Sequence, residues 1–528
     1  MTTVPSKWSR RVPLRALLVL SAMMVPINSC TNLTETPRDA LTPETAFKTE
    51  AEILAGVASV YAGLRGVMWG YYNLSEVTTD EIIVPTRGQD WYDNGRWLEI
   101  HRQTWTASSG SALDDMNGTW NNLFSGIARA NLMIEVITKA GGANADATLA
   151  ELRTLRAWYY YMLMDMFGGV PLVTTTEVVA RPRVARDSIF RFVVSELNAA
   201  RAVLPPTVPA AQYGRVTRGA ANAILASLYL NAQVFTGTVT QADLQPGAAR
   251  WQDASDAADR VITSGVYSLA TDWKANFSIT NENSPENIFV VVHTASIPGL
   301  GMSLPMRGLH YNMLAPEPWN GFATLSDTYR SFDPADKRRE VFLTGQQFSY
   351  NNGQPVNDRQ GRPLVFTDTI GNAEAAAENE GARLMKFPPL PGAPNGDSHP
   401  NDFPFFRLAE MYLIKAEAQN ELGNTLTAIG LINQIRLRQF NPAKPLATTL
   451  TQAQVRAAIV NERLFELAGE AKRRQDLIRA GRFTEPRRDC SANIAACQKL
   501  QQQAYKILFP IPQTQIQSNP LLQQNAGY

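Results

Sequence analysis

Aromatic residues crowd two stretches that read as loops: Trp69, Tyr71 and Tyr72, followed by Trp91, Tyr92, Trp97 and Trp105, and, much later, Tyr311 and Trp319. In the run Trp91-Tyr92-Asp93-Asn94-Gly95, bulky rings stand beside a turn former, a place where full burial of every ring is hard to arrange. A flat ring next to Asp or Asn acceptors suits a sugar, whose C–H face is apolar and whose rim carries hydroxyls. Trp69, Tyr71, Tyr72, Trp91, Tyr92, Asn94, Trp97 and Trp319 are therefore the candidate ligand contacts. The competing reading is that the same rings form the core of an irregular cap.

A second dense constellation is charged: Glu462, Arg463, Glu466, Glu470, Arg473, Arg474, Asp476 and Arg479. As one helix it would place Glu466, Glu470 and Arg474 on a shared face at i, i+4 spacing, where each pair matters by about 0.2–0.5 kcal/mol. A structural ion network is expected here, rather than a catalytic set. Enzyme signatures are scarce. The chain has no Gly-x-Ser-x-Gly elbow, phosphate loop or His-Glu-x-x-His, and its four histidines, His101, His293, His310 and His399, are scattered. Asp114-Asp115-Met116-Asn117-Gly118 lacks the alternating ligands and distal Glu of a calcium loop and reads as a turn leading into a helix. No catalytic residue, metal or cofactor is expected. Glycosidase carboxylates are recognised by their separation in space, so a surface glycoside hydrolase stays as a rival.

The N-terminus carries a different chemistry. Lys7, Arg10, Arg11 and Arg15 precede an almost wholly apolar run over 16–27, and Ile27-Asn28-Ser29-Cys30 follows. That run is far shorter than the roughly 20 residues needed to cross a bilayer, so it reads as an export signal. A small residue followed by Cys at the cleavage point is what lipoprotein processing recognises. Cys30 is thus the expected lipidation site, with the polar, unpatterned 31–39 as a tether. Two or more acyl chains anchor a protein stably, each buried methylene contributing about 0.8 kcal/mol. The other two cysteines, Cys490 and Cys497, are separated by six residues with no third sulfur or nearby His to complete a zinc set, and are read as one local disulfide. A net charge of +1 without a clustered basic face offers no nucleic-acid footprint.

The elements that must position these residues are helices. At 528 residues the chain buries either several domains or one large helical body. Over 151–167 apolar residues recur at helical spacing, and Trp158, Tyr160 and Tyr161 extend the face until the helix is nearly encircled; Gly168-Gly169 ends it and 170–173 leads away extended. Segments 407–422 and 424–438 read as a helix pair turning at Gly423, with Ala416 and Ala428 twelve residues apart, the spacing of tetratricopeptide hairpins. A second pair, 219–234 with 251–264, has the same small residues and about sixteen extra residues between Ala226 and Ala254. Segments 50–64, 119–139 and 186–204 are further helices, whereas 342–402 dissolves into Gly, Asn, Pro and short β-like runs such as 363–367. Apart from the export signal no stretch reads as a membrane span.

With these segments placed, the chain resembles the SusD/RagB family of surface lipoproteins. The match is carried by Glu151-Leu152-Arg153 through Trp158-Tyr159-Tyr160 to Phe167-Gly168-Gly169-Val170-Pro171-Leu172, and by Gly214-Arg215-Val216-Thr217-Arg218-Gly219. It continues in Asn401-Asp402-Phe403-Pro404 with Arg407 and Glu410, in Glu462-Arg463, Glu466-Leu467, Gly469-Glu470, Arg473 and Asp476-Leu477, and in Phe509-Pro510-Ile511-Pro512 to Asn525-Ala526-Gly527-Tyr528. The resemblance implies a mainly α fold, tetratricopeptide-like helix pairs in an α–α superhelix with a loop-rich cap containing short β segments. It implies a signal peptide over 1–29, a lipid-anchored tether over 30–49, and a helical region over 50–280 forming one body with a C-terminal region over 281–528. It further implies a surface-exposed place on the outer membrane, lipid-anchored through Cys30, an oligosaccharide or peptide ligand, and a SusC-like TonB-dependent β-barrel transporter as partner, over which the protein acts as a lid. A helical scaffold that binds only protein is the remaining alternative.

Overall fold

In this computed structural model, residues 47–528 are described, apart from Ser109, Asp397 and the side chain of Ala496. The expected signal, tether and Cys30 lie outside the described residues. In chain order the principal helices are α1 (Glu50–Arg65), α2 (Gly70–Glu76), α3 (Arg96–Arg102), α4 (Leu113–Ala140), α5 (Ala145–Phe167), α6 (Arg186–Val203), α7 (Arg218–Leu230), α8 (Trp251–Ile262), α9 (Leu408–Glu421), α10 (Thr425–Gln439), α11 (Gln452–Leu467) and α12 (Arg473–Arg479). The fold is mainly α, as the sequence implies.

Helices α4 to α10 pack each on the next, and α9 also packs on α11. Small residues set how closely they approach. Ala220, Ala221, Ala223 and Ala226 of α7, and Ala254, Ala257 and Ala258 of α8, are fully buried, so neither backbone is held off by bulk. Ala416 and Ala428 do the same for the α9–α10 hairpin, whose turn at Gly423 has a left-handed backbone (φ 87°). Between α4 and α5 the tolerance is smaller still: a Cβ on Gly126 would lie 2.3 Å from the ring of Tyr159. That ring reaches past Gly126, and its hydroxyl donates to the carbonyl of Val60 in α1 at 2.7 Å. Every residue of α5 from Leu155 to Phe167 is buried, in keeping with its encircled apolar pattern.

Two boundaries differ from expectation. Helix α4 begins six residues before Thr119, so Asp114 to Gly118 is helix proper and not a turn ahead of it. The stretch Glu50–Glu76 is long and apolar enough, by composition, to cross a membrane, which the sequence reading overlooked. It bends at 66–69 between α1 and α2, and α2 is buried along its whole length, whereas α1 buries one face, through Gly56, Val57, Val60 and Leu64.

A two-stranded antiparallel pair, β1 (Asn287–Val291) with β2 (Phe403–Arg407), pairs Phe403 with Val291 and Arg407 with Asn287. All five β2 residues are buried. The strand delivers the Arg407 guanidinium to a buried ion network. Its nitrogens contact Glu286, Glu466 and Glu470, each at 2.7 Å. Glu466 also receives Arg438 at 2.7 Å and Arg338 at 3.0 Å, and Arg338 reaches Glu462 at 2.7 Å. Burial would raise the Glu466 carboxyl, but Arg438, Arg407 and Arg338 together hold it well below the usual carboxylate range. The expected structural network is present, but on a different scaffold. The chain is not one helix here: α11 stops at Leu467, Gly469 and Ala471 turn left-handed (φ 73° and 59°), and Arg474 lies in α12 pairing with Asp165 at 2.9 Å. Gly469 N–H donates to Glu81 at 3.0 Å and Ala471 N–H to Glu76, which satisfies the interrupted backbone. Burial and the neighbouring Glu76 carboxylate push Glu81 well above its usual range.

Cys490 and Cys497 form the expected disulfide, their Cα atoms 4.8 Å apart. Short two-residue strand pairs, including Gly345–Gln346 with Val365–Phe366 and Phe342–Leu343 with Arg383–Leu384, organise the irregular region.

Replacing Glu466 with Ala takes one carboxylate from each of three buried guanidinium groups and leaves excess buried positive charge, and is expected to cost about 3–5 kcal/mol. The urea unfolding midpoint should fall sharply; an unchanged midpoint would show that the network is not holding the fold.

Candidate functional site

Three segments far apart in sequence bring the candidate rings together. The first is the turn before α2. A Cβ on Gly70 would meet Thr119 Oγ1 at 2.4 Å and the Asp115 carbonyl at 2.9 Å, so α2 starts hard against α4 and Trp69 is left at the rim, 40% exposed. The second is 87–97. Arg87 and Asp90 exchange backbone hydrogen bonds, and then Trp91, Asp93, Asn94 and Gly95 all have left-handed backbones (φ 62°, 40°, 54° and 83°). For the three non-glycine residues that conformation costs on the order of 1 kcal/mol or more apiece, and such outliers gather at functional sites. The third segment, 303–322, begins with the short helix Leu304–Gly308 and contains Trp319.

Ring contacts lock these segments together. Trp91 Nε1 donates to the Trp319 carbonyl at 2.5 Å, and Trp97 Nε1 donates to Asp93 at 2.6 Å. Trp91 and Trp97 stand edge to face with centroids 5.2 Å apart, and both pack on Phe322; Trp69 meets Trp319 edge to face at 6.3 Å. Trp91 lies so close over Gly321 that a Cβ there would fall 2.2 Å from the ring. Beneath them Arg307 sits 4.3 Å from the Trp69 centroid and 5.5 Å from that of Phe322, donating to the Met68 carbonyl at 2.8 Å and to Asn73 at 3.1 Å. Burial lowers its pKa to about 10, which still leaves it charged under Trp69, where a cation–π contact contributes about 1–2 kcal/mol.

The candidate contacts divide accordingly. Trp69, Tyr92 and Asn94 are exposed and Trp91 and Trp319 are half-buried; the contacts above join Trp69, Trp91 and Trp319 into one ledge of rings, and Tyr92 follows Trp91 directly in the chain. Tyr71, Tyr72 and Trp97 are buried, as are Trp105 and Tyr311, and this corrects the expectation that the first three offer faces to a ligand. The two tyrosines lie on the wholly buried α2 and pack against Phe405 and Phe403. Trp97, on α3, backs Trp91. Sequence reasoning missed Arg307, Gly321 and Phe322, because nothing in the local pattern marks residues whose role is to support a ring from a distant segment.

A polar group borders the ledge through Asp90. Tyr311 donates its hydroxyl to Asp90, and Arg359 lies over the Tyr311 ring at 4.1 Å while pairing with Asp90 at 3.2 Å and Glu378 at 2.5 Å. His310 Nε2 is 3.0 Å from Glu378. Burial lowers the His310 pKa, so the ring is neutral at pH 7. Burial acts to raise Glu378, but hydrogen bonds from His310 and Arg359 outweigh it and keep the carboxylate ionised. Among the described residues no group of three or more His, Cys, Asp or Glu side chains is arranged to hold a metal ion.

The model of the SusD family matches residues 252–528, more than half of the chain. The chain belongs to the SusD family. A second family model, described as starch-binding associating with outer membrane, matches residues 39–230. A SusD-like protein of Formosa agariphila is 25% identical over 94% of this chain and 96% of its own length. The starch-binding protein SusD of Bacteroides thetaiotaomicron is 24% identical over 87% of this chain and 85% of its own. The SusD fold is seen in solved neighbours too. Surface glycan-binding protein A of Bacteroides fluxus superposes with a TM-score of 0.71 at 23% identity, over 91% of this chain and all of that one. Its counterpart from Bacteroides thetaiotaomicron in complex with laminarihexaose gives 0.69 at 20% identity, over 90% of this chain and 99% of that one.

Changing Gly321 to Ala in this SusD-family chain forces Trp91 off its seat at an expected cost of about 1–3 kcal/mol. The far-ultraviolet helical signal should persist while tryptophan emission moves to longer wavelength; unchanged emission would contradict the close seating of Trp91.

Proposed function

We propose that this protein is a non-enzymatic glycan-binding lipoprotein of the outer membrane that holds oligosaccharide across Trp69, Trp91, Tyr92 and Trp319. It passes the sugar to a SusC-like TonB-dependent barrel, over which it closes as a lid, and Cys30 carries the lipid anchor. The observation that carries this reading is the ledge itself: exposed rings held by strained backbone and a guanidinium beneath, with Asn94 and carboxylates beside them. Rings fixed before binding lose little entropy on contact with a sugar, and their apolar faces match its C–H face. Glycan names among the family relatives support the same class of ligand.

The carboxylates beside the ledge argue against hydrolysis. A glycosidase needs one carboxyl kept protonated near neutral pH, by burial or a like charge. Glu378 is instead held down by His310 and Arg359, and Asp90 is engaged by Tyr311 and Arg359.

Trp69→Ala and Tyr92→Ala, both at exposed rings, are each expected to weaken glycan affinity about tenfold or more, the scale set by losing part of an aromatic face worth about 1.5–3 kcal/mol. Calorimetry against a panel of glycans and peptides reads the effect, with circular dichroism confirming the fold. Unchanged affinity removes the ledge from the binding site, peptide binding in place of glycan overturns the ligand class, and reducing ends released by the purified protein overturn the non-enzymatic reading.

A further inference from the structure

Resting on that reading, we infer that the ring ledge selects uncharged glycans and turns away chains that carry uronate or sulfate groups. The inference comes from how the cations near the rings are spent. Arg307 is 1% exposed and lies behind Trp69, with its terminal nitrogens on the Met68 carbonyl and Asn73. Arg96, over the Trp97 ring, is held by Asp115 at 2.7 Å. Arg87 is buried, donating to the carbonyls of Ala377 and Glu380. Arg359 is the exposed cation of the group, and it lies between Asp90 and Glu378.

The acids are placed the other way. Asp93 and Asn94 are exposed between Tyr92 and Gly95, and one Asp93 oxygen takes the Trp97 indole N–H. Glu317, two residues before Trp319, is exposed as well. Asp90 directly precedes Trp91, and Glu378 joins it through Arg359. Sites that take carboxylate or sulfate offer guanidinium forks free to bind them in pairs, because an anion leaving water needs charged donors in return. Here the forks of Arg96 and Arg359 already face carboxylates, and those of Arg87 and Arg307 are buried against carbonyl and amide oxygens. An anionic sugar on these rings meets like charge, and the donors of this group that lack a partner, Nε of Arg87 and Nε of Arg307, are buried away from it. A neutral sugar meets acceptors for its hydroxyls, and a hydrogen bond from a hydroxyl to a charged carboxylate is worth more than one to a neutral group.

The test uses the full chain in affinity electrophoresis and calorimetry against laminarin, amylopectin and a galactomannan, and against alginate, a galacturonan and a sulfated galactan. A neutral polymer that binds is then compared with its own carboxymethylated form. The expected result is binding of a neutral glycan and an affinity about tenfold lower for the charged form at low salt, with the gap narrowing at about 0.5 M salt, where surface charges are screened. The double variant Asp93→Asn with Glu317→Gln should narrow it too, read as the ratio of the two affinities, since the amides still accept hydrogen bonds but carry no charge to repel an anion. Equal or tighter binding of the charged form, or a preference for the anionic polymers, overturns the selectivity and leaves glycan binding standing. Failure of every polysaccharide to bind overturns the glycan reading and the selectivity with it.

Discussion

A guanidinium out of water needs compensating partners, and Arg407 at the end of β2 draws its own from three carboxylates held by separate parts of the molecule. Glu286 precedes β1, Glu466 closes α11, and Glu470 lies in the break before α12, so satisfying one side chain fixes a strand pair, a helix end and an irregular turn relative to each other. The consequence travels outward. The break at 468–472 presents its backbone N–H groups to Glu81 and Glu76, and Glu76 is the last residue of α2. Trp69 immediately precedes that helix. The charge balance in the core and the position of an exposed ring are therefore linked through one short, fully buried element.

The helices were legible because each carries a long pattern. The 3.6-residue spacing of α5, the alanines at 416 and 428, and the paired segments at 219–234 and 251–264 each correspond to helices in the fold. What was not legible depended on contacts across long sequence separation. The run 462–479 looks like one helix because local propensity favours it throughout, and only Glu76 and Glu81, nearly four hundred residues earlier, make the interruption affordable. The same holds for Glu50–Glu76, whose composition fits a lipid environment but whose second half, α2, is wholly buried against other parts of the fold.

At the candidate site, composition located the neighbourhood and failed to sort its members. Trp91-Tyr92-Asp93-Asn94-Gly95 was readable as a turn rich in rings, and the left-handed backbone at Asp93, Asn94 and Gly95 agrees with that. Nothing local separates Trp91 from Trp97, six residues on, although one is half-buried and the other supports it from the core. Nor does the sequence near residue 307 hint that an arginine there carries Trp69. Burial of an aromatic is decided by what lies on its far side, and for these rings that includes residues of another segment, Phe322 against Trp91 and Trp97 and Arg307 behind Trp69.

The ledge is thus a composite of the turn at 69, the loop at 87–97 and the segment at 303–322. Because the scaffold beneath it is set by the helix array and the ion network, single rings on its rim can be exchanged without renegotiating the core. The supporting pairs do not enjoy that freedom. A chain divided near residue 280 would put Trp69 and Trp91 in one fragment and Arg307 and Trp319 in the other, so this surface is inherited whole or lost.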